Sequence, residues 1–283
     1  MARRSRKGFA GKSHCKCWGT VAAQDEAYSF SGKIKWMKVS CIKMNKTNIE
    51  QNRINQIVHI PANGIKLEGA LAIPTEAQGI VLFAHGSGSS RHSPRNNFVA
   101  QVLQSAGLGT LLMDLLTPRE DATYETRFDI DLLTRRLERA TQWLREQPQT
   151  RLLKIGYFGA STGAAAALQA AATFGQSIGA VVSRGGRPDL AMSALERVQS
   201  PTLLIVGGLD DIVIDLNRGA YGKLKAEKHL AIVPGATHLF EEPGTLQEVA
   251  RLAADWFKRN LGATASKKTP QTKIRRRTSP LPG

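Results

Sequence analysis

The sequence predicts an α/β protein with one mostly parallel β-sheet and helices packed on both of its faces. From about residue 79 onward, short apolar runs alternate with longer segments whose apolar residues recur at helical spacing. This alternation is typical of parallel strands joined by crossover helices. Apolar residues make up 42% of the 283 residues, enough for the core of one domain. No apolar run reaches the roughly 18 residues of a membrane span, so a membrane partner is not expected.

The predicted domain, residues 52–262, opens with a β-hairpin. The segments 54–60 and 65–73 are predicted strands because the turn signal Pro61-Ala62-Asn63-Gly64 separates them. The later elements follow in alternation, with strands expected at 79–84, 108–113, 152–158, 178–183, 201–206 and 228–233, and helices at 94–105, 127–146, 163–173, 215–225 and 245–261.

Two segments limit the shape of this domain. The helix at 127–146 has apolar residues at the spacing of one buried face, namely Phe128, Leu132, Leu133, Leu137, Ala140 and Leu144. Fewer than 20 residues separate Ser183 from the strand that starts at Pro201. A large cap domain does not fit there, so the functional site should be open.

The positive charge of the chain lies at its two ends. The net charge is +16, but residues 1–50 carry 11 basic and 3 acidic side chains, and residues 263–283 carry 6 basic and none acidic. The remainder holds 22 basic and 20 acidic side chains and is nearly neutral. We expect residues 1–51 and 263–283 to be disordered extensions. Because the C-terminal tail lacks interleaved aromatic residues, it is interpreted as a solvated tail, and a nucleic-acid partner is not favoured.

The N-terminal extension gives no targeting signal for secretion. It begins Arg3-Arg4-Ser5-Arg6-Lys7 without an apolar segment behind it. An organellar transit segment and a natural start at Met44 stay open as alternatives. The cysteines Cys15, Cys17 and Cys41 all lie in this extension and lack the second ligand pair of a structural zinc site. A domain without cysteine needs no disulfide, and this favours a cytoplasmic location. We expect no metal and no cofactor.

The segment Gly159-Ala160-Ser161-Thr162-Gly163 carries the main chemical signal. An apolar run ending at Phe158 precedes it and an alanine-rich segment, residues 164–172, follows it. Strand, G-x-S-x-G and helix in this order form a nucleophile elbow, in which a tight turn exposes the serine. The flanking glycines are required where strand and helix approach too closely for a Cβ. Taken alone, Ser161 would also fit a small residue at a turn.

An acid and a histidine follow the serine at the ends of two later strands. Asp210 comes after the predicted strand 201–206, and His238 comes after 228–233. The carboxyl ends of parallel strands are where open α/β sheets build their sites. A serine needs an adjacent base, and the imidazole needs a carboxylate that fixes its tautomer. Asp211 competes with Asp210 for that role, while Asp215 is expected to cap the helix at 215–225.

Two backbone amides complete the predicted catalytic set. The N–H of Thr162, directly after the nucleophile, and that of Ser87, in the Gly/Ser loop after strand 79–84, are expected to form the oxyanion hole. His85 beside this loop is predicted to have a structural role. Arg91 and Arg184 are candidate substrate-binding residues because guanidinium groups recognise carboxylate and phosphate. The alternative is that the arginines pair with Asp114, Glu120, Asp121 or Asp189 and brace loops.

The chain resembles the dienelactone hydrolase-like branch of the α/β-hydrolase superfamily over about residues 52–262. The resemblance rests on four segments, His85-Gly86-Ser87-Gly88-Ser89-Ser90-Arg91-His92, Gly156-Tyr157-Phe158-Gly159-Ala160-Ser161-Thr162-Gly163, Ser183-Arg184-Gly185-Gly186-Arg187-Pro188-Asp189 and Gly235-Ala236-Thr237-His238-Leu239-Phe240. It implies the α/β-hydrolase fold and an ester, thioester or lactone hydrolase. Dienelactone hydrolases proper use a cysteine nucleophile, so Ser161 favours a serine esterase. Some similar bacterial hydrolases are fused to a phosphoribosyltransferase domain, but Ile212-Val213 stands where that domain would need phosphate-binding residues after paired acids.

The sequence therefore predicts a hydrolase of small acyl substrates that uses Ser161, His238 and Asp210. Two other classes stay open. The same triad would serve an acyltransferase or a peptidase, and a hydrolase-shaped binding module would need no catalysis at all. A homodimer is compatible with the sequence.

Overall fold

The computed structural model describes residues 54–262. The predicted extensions, residues 1–51 and 263–283, lie outside the described residues, and so do all three cysteines.

One eight-stranded sheet runs through the described part of the chain. Its strands are β1 (Ile54–Ala62), β2 (Ile65–Ile73), β3 (Ile80–Ala84), β4 (Gly109–Met113), β5 (Ile155–Ala160), β6 (Ile178–Arg184), β7 (Thr202–Gly207) and β8 (Lys228–Val233). They lie side by side in the order β1-β2-β4-β3-β5-β6-β7-β8. The hairpin pair β1–β2 and the pair β2–β4 are antiparallel, and the other five pairs are parallel. The predicted hairpin and mostly parallel sheet are confirmed.

Helices cover both faces of this sheet. They are α1 (Pro94–Ser105), α2 (Pro118–Asp121), α3 (Ile130–Glu146), α4 (Thr162–Phe174), α5 (Asp211–Lys223) and α6 (Thr245–Leu261), with short 3₁₀ turns at Glu125–Phe128, Gly175–Ser177, Pro188–Ala191 and Leu195–Arg197. One core cluster joins α3, α4 and α5 to the face of β3 that carries Leu82. A second cluster joins α1 and α6 to the face that carries Phe83. Neighbouring residues of a strand point to opposite faces, so the sheet lies between two helical layers. This is the α/β-hydrolase arrangement that the resemblance implied.

Three predicted boundaries were wrong by three or four residues. Helix α5 begins at Asp211 rather than 215, because its buried residues already follow helical spacing from Val213. Asp215 is therefore not a cap: it lies within the helix and pairs with Arg218 at 3.2 Å. Strand β5 begins at Ile155, since the preceding residues form a turn in which Leu152 is exposed.

The start of the predicted helix 127–146 also differs. Phe128 is 38% exposed in a 3₁₀ turn and does not belong to the buried face. Helix α3 begins at Ile130 because the side chain of Asp129 caps it, accepting a hydrogen bond from the N–H of Leu132 at 2.9 Å.

The segment between β6 and β7 leaves the site open. It contains only the two 3₁₀ turns Pro188–Ala191 and Leu195–Arg197, so no cap domain is inserted there, as predicted. Among residues 54–262, every helix is too short or too polar to cross a lipid bilayer.

Candidate active site

Ser161 occupies a strained turn between β5 and α4. Its backbone has φ 50° and ψ −120°, a region that residues with a Cβ rarely adopt. The last residue of β6 and the loop after it hold this turn on both sides. The N–H of Ser161 donates to the carbonyl of Arg184 at 3.2 Å, and the N–H of Arg187 donates to the carbonyl of Ser161 at 3.1 Å. The fold thus maintains a conformation that would otherwise relax.

The two flanking glycines are required by close packing. A Cβ on Gly159 would lie 2.4 Å from the Cα of Ala164, and a Cβ on Gly163 would lie 2.2 Å from the carbonyl oxygen of Ala84. Both distances are far below van der Waals contact, so only glycine fits at either position. This is the reason for which the sequence motif predicted a nucleophile elbow.

Asp210 and His238 form a hydrogen-bonded pair. The Nδ1 atom of His238 lies 2.7 Å from Oδ2 of Asp210, whose side chain is 15% exposed. Asp210 precedes the first residue of α5, and His238 lies in the loop after β8. Asp211, the alternative acid, is an exposed residue at the start of the helix. With Nδ1–H directed at a carboxylate, the Nε2 atom of the imidazole is left as the basic nitrogen.

The loop that carries the histidine is braced by an acidic side chain. The carboxylate of Glu242 accepts hydrogen bonds from the N–H of Thr237 at 3.1 Å and from its hydroxyl at 2.6 Å. The pKa of Glu242 is lowered, mainly by the hydrogen bond from the Thr237 hydroxyl and further by backbone amides of the loop. Glu242 therefore positions Thr237, the residue before His238.

Ser161 and His238 line the same cavity. Its volume is about 210 Å³, and Ser87, Ser89, Ser93, Arg95 and Arg184 also line it. Two larger depressions of about 360 Å³ lie elsewhere. One, beside Trp256, has a histidine but no hydroxyl or thiol in its lining, and the other, beside Gln169, has hydroxyls but no histidine. Another cavity of about 210 Å³ has His85, Ser89 and Ser90 in its lining, but both ring nitrogens of His85 already contact backbone groups. In the cavity of Ser161, by contrast, the Nε2 atom of His238 has no hydrogen-bond partner among the described residues.

The amides of Ser87 and Thr162 are the two donors predicted for the oxyanion hole. Within residues 54–262 neither N–H donates a hydrogen bond to a protein acceptor. Thr162 is the first residue of α4, so the partial positive charge of the helix N-terminus lies at its amide. Ser87 lines the cavity. Two free donors beside a nucleophile suit a developing oxyanion.

His85 holds the Ser87 loop in place. Its Nε2 atom accepts from the N–H of Leu115 at 3.0 Å, and its Nδ1 atom lies 2.9 Å from the carbonyl oxygen of Gly86. Burial lowers the pKa of His85, against the opposing effect of that carbonyl, so the ring is neutral. The structural role that the sequence predicted agrees with these contacts.

Comparison of this chain with known proteins supports the fold described above. A sequence model of the dienelactone hydrolase family matches residues 67–263. The chain belongs to this family. A crystal structure of dienelactone hydrolase from Anabaena variabilis is 57% identical, covers 74% of this chain and 99% of its own, and superposes with a TM-score of 0.72. Est1E from Butyrivibrio proteoclasticus is 16% identical, covers 72% of this chain and 98% of its own, and has a TM-score of 0.63; this likeness shows the fold alone.

Two similar proteins of Mycobacterium tuberculosis, from strains CDC 1551 and H37Rv, carry the provisional name phosphoribosyl transferase. Each is 57% identical over 200 residues, which is 71% of this chain and 45% of the mycobacterial protein. The chain thus spans less than half the length of these two mycobacterial proteins.

The two arginines that were predicted to bind substrate have different environments in the structure. Arg91 does not line the cavity that contains Ser161 and His238. Its guanidinium pairs with Asp114 and Glu68, and its N–H donates to Asp114 at 2.7 Å. These contacts agree with the alternative that it braces a loop. Arg184 does line the cavity, and so does Arg95, which the set of predicted site residues left out.

The sequence analysis also missed Asn217, a residue of α5 that binds the loop after β6, which holds Ser161 in place. This side chain is fully buried and donates from Nδ2 to the carbonyls of Gly186 at 3.0 Å and Val213 at 2.8 Å. Gly186 lies in the loop that holds Ser161. A signal existed in the sequence, because Asn217 follows Val213 by one helical turn and falls on the apolar face of α5.

Proposed function

We propose that this chain is a serine hydrolase of small acyl esters, thioesters or lactones, acting through a Ser161–His238–Asp210 triad and an acyl-enzyme. The observation that carries the proposal is the hydrogen-bonded pair His238–Asp210, which shares one cavity with a serine held at φ 50°. Membership of the dienelactone hydrolase family supports the same reaction type.

The first half-reaction transfers the acyl group to the enzyme. Nε2 of His238 takes the hydroxyl proton of Ser161 while Oγ forms a bond to the substrate carbonyl carbon. The carbonyl oxygen becomes an oxyanion, and the amides of Ser87 and Thr162 donate to it. The tetrahedral intermediate then expels the alcohol or thiol, which leaves with the proton from His238.

The second half-reaction releases the acid. Nε2 of His238 takes a proton from water, and the resulting hydroxide attacks the acyl carbon. The same two amides hold the second oxyanion, and Ser161 departs with the proton from His238. Asp210 stays ionised throughout, since its role is to orient the imidazole and to stabilise its protonated form.

The proposal is tested by steady-state hydrolysis of p-nitrophenyl acetate, a short lactone and an acyl thioester. We expect Ser161→Ala and His238→Ala to lower kcat by about 10³-fold or more and Asp210→Asn by about 10²- to 10⁴-fold, because the triad acts as a unit. Ser193→Ala is the matched control, since Ser193 is exposed and lies outside the cavity. Full activity of Ser161→Ala would overturn the proposal.

Product analysis with alcohols and amines present separates hydrolysis from acyl transfer. A hydrolase gives the free acid as the main product, whereas an acyltransferase gives the new ester or amide. A cytoplasmic location and a homodimer stay predictions.

A further inference from the structure

Strand β8 presents a row of free backbone groups at one edge of the sheet. Among residues 54–262 it pairs only with β7, in parallel and in an unbroken register. The carbonyls of Glu227 and Val233 both accept hydrogen bonds from the β7 side at 2.8 Å. Because every second residue of a parallel strand bonds to one neighbour, the N–H and C=O groups of the residues between them point away from β7, namely those of Lys228, Leu230 and Ile232.

This edge lacks the usual protection against pairing with another strand. Edge strands are commonly protected by a bulge, a proline or an exposed lysine. Strand β8 contains neither a bulge nor a proline. Its one lysine, Lys228, is engaged within the chain, because the Nζ atom donates to the carbonyls of Tyr221 and Leu224 at 2.7 Å each.

The opposite edge of the sheet, β1, is protected. It contains Pro61, which has no N–H group for a further strand. The carbonyl of Pro61 accepts a hydrogen bond from Nε of Arg139 at 2.9 Å, and the carbonyl of Ala62 accepts one from Arg136 at 3.0 Å. Strand β8 is therefore the edge that is open to pairing.

The open edge also carries an exposed apolar side chain. Leu230 packs against the cluster of Val206, Val213 and Ile214 on the α5 face of the sheet. Ile232 follows two residues later, so it lies on the same face, and it is 39% exposed. A β-branched residue beside unpaired backbone groups suits a strand that is covered by another strand.

We propose that two copies of this chain form a dimer by antiparallel pairing of their β8 strands. A two-fold axis at Leu230 places this residue opposite its own copy and Lys228 opposite Ile232 of the partner subunit. In this register each outward N–H and C=O group of the strand has a partner. The register also avoids like charges, since His229 lies opposite the partner's Ala231. An axis at His229 would instead place two histidines opposite each other.

Helix α5 lies where such a dimer would bring two helices together. It packs on β7 and β8, and the Nζ atom of Lys228 lies 4.7 Å from the ring centroid of Tyr221 near the end of the helix. Strands of a sheet are about 4.8 Å apart, so a helix above β7 and β8 lies about 5 Å from the two-fold axis. The two α5 helices are then about 10 Å apart, the usual distance between packed helices.

The charges on α5 are complementary under this symmetry. Asp211 and Asp215 are exposed in the first part of the helix, whereas Lys223 is exposed in its last turn and Lys225 just after it. The two helices run antiparallel, so the acidic end of each lies beside the basic end of the other. Their opposed dipoles add to this attraction. The dimer does not require the proposed hydrolase function.

Sedimentation velocity of the full chain at micromolar concentration tests the association. We expect wild type to be a dimer and Ile232→Lys to have a dissociation constant at least tenfold larger, because the new lysine would face Lys228 of the partner subunit. Ile232→Glu should associate more tightly than Ile232→Lys, since it places the opposite charge there. Ile57→Lys is the matched control, because Ile57 is 58% exposed on β1, and it should leave the dimer intact.

Disulfide cross-linking tests the register. The background for this test has Cys15, Cys17 and Cys41 replaced by serine. In the double variant His229→Cys/Ala231→Cys, opposite Cα atoms would be about 4.5 Å apart, so mild oxidation should give a covalent dimer. His229→Cys alone should stay uncross-linked, because its own copy is not opposite.

Three results would overturn the proposal: a monomeric wild-type chain, a dimer that Ile232→Lys leaves unchanged, or cross-linking by His229→Cys alone. Circular dichroism and Tm of Ile232→Lys show whether the variant is folded, so that loss of the dimer is not mistaken for unfolding. Hydrogen exchange identifies another occupant of the edge. A monomer whose β8 amides are protected would assign the edge to residues 263–283 and would contradict the dimer as well.

Discussion

Replacing Ser161 by glycine should abolish activity and stabilise the fold. At φ 50° and ψ −120° a residue with a Cβ carries strain of about 1–3 kcal/mol, which glycine avoids. Glycine also gains freedom in the unfolded chain, and this offsets about 0.4–1 kcal/mol of the benefit. The balance predicts that Ser161→Gly is more stable than Ser161→Ala by about 1 kcal/mol, or roughly 2–4 °C in Tm for a domain of this size.

Thermal and urea unfolding of the two inactive variants measure this difference, and comparing them removes the contribution of the hydroxyl. Ala172→Gly, within the regular helix α4, is the matched control. There the same change should destabilise by about 1 kcal/mol, because helical backbone offers glycine no relief. If Ser161→Gly proved no more stable than Ser161→Ala, the elbow would not store strain and the reasoning would be wrong.

Three further predictions concern the surroundings of the site. Gly163→Ala should prevent folding or cost more than about 4 kcal/mol, because its Cβ would lie 2.2 Å from the carbonyl of Ala84; circular dichroism reports this. Asn217→Ala should lower the free energy of unfolding by about 1–3 kcal/mol and reduce kcat, because it leaves the carbonyl of Gly186 without its donor; unchanged values of both would contradict the positioning role. Burial alone would raise the pKa of Glu120, but hydrogen bonds from its helix cap and a nearby arginine outweigh it and lower the pKa from 4.5. Glu120→Gln should therefore destabilise at pH 7, with the difference from wild type disappearing as the pH falls below 4.5.

Some elements of the fold and of the site are determined by short, contiguous segments. These elements could be predicted from the sequence. The elbow is such a case, since strand, glycines and helix are contiguous and the steric reason for Gly159 and Gly163 is local. The place after a strand limited the candidate acids to Asp210 and the neighbouring Asp211. The contact of Asp210 with His238 at 2.7 Å separates the two in the structure.

Side-chain pairing between distant segments could not be predicted. Arg91 and Arg184 look alike in the sequence because both come shortly after a predicted strand and beside small residues. Their environments differ because Arg91 meets Asp114 and Glu68, whereas no acid reaches Arg184 within the described residues. Such differences depend on which strands become neighbours, and local residue patterns do not encode that directly.

Labelling by a fluorophosphonate probe tests the central claim most directly, because the probe reacts with a serine only when a base activates it. Intact-mass spectrometry of the wild-type protein should show one adduct, and peptide mapping should place it on Ser161. Ser161→Ala should show none, and His238→Ala should react far more slowly. A folded wild-type protein that stays unlabelled, or an adduct that persists in Ser161→Ala, would contradict the account.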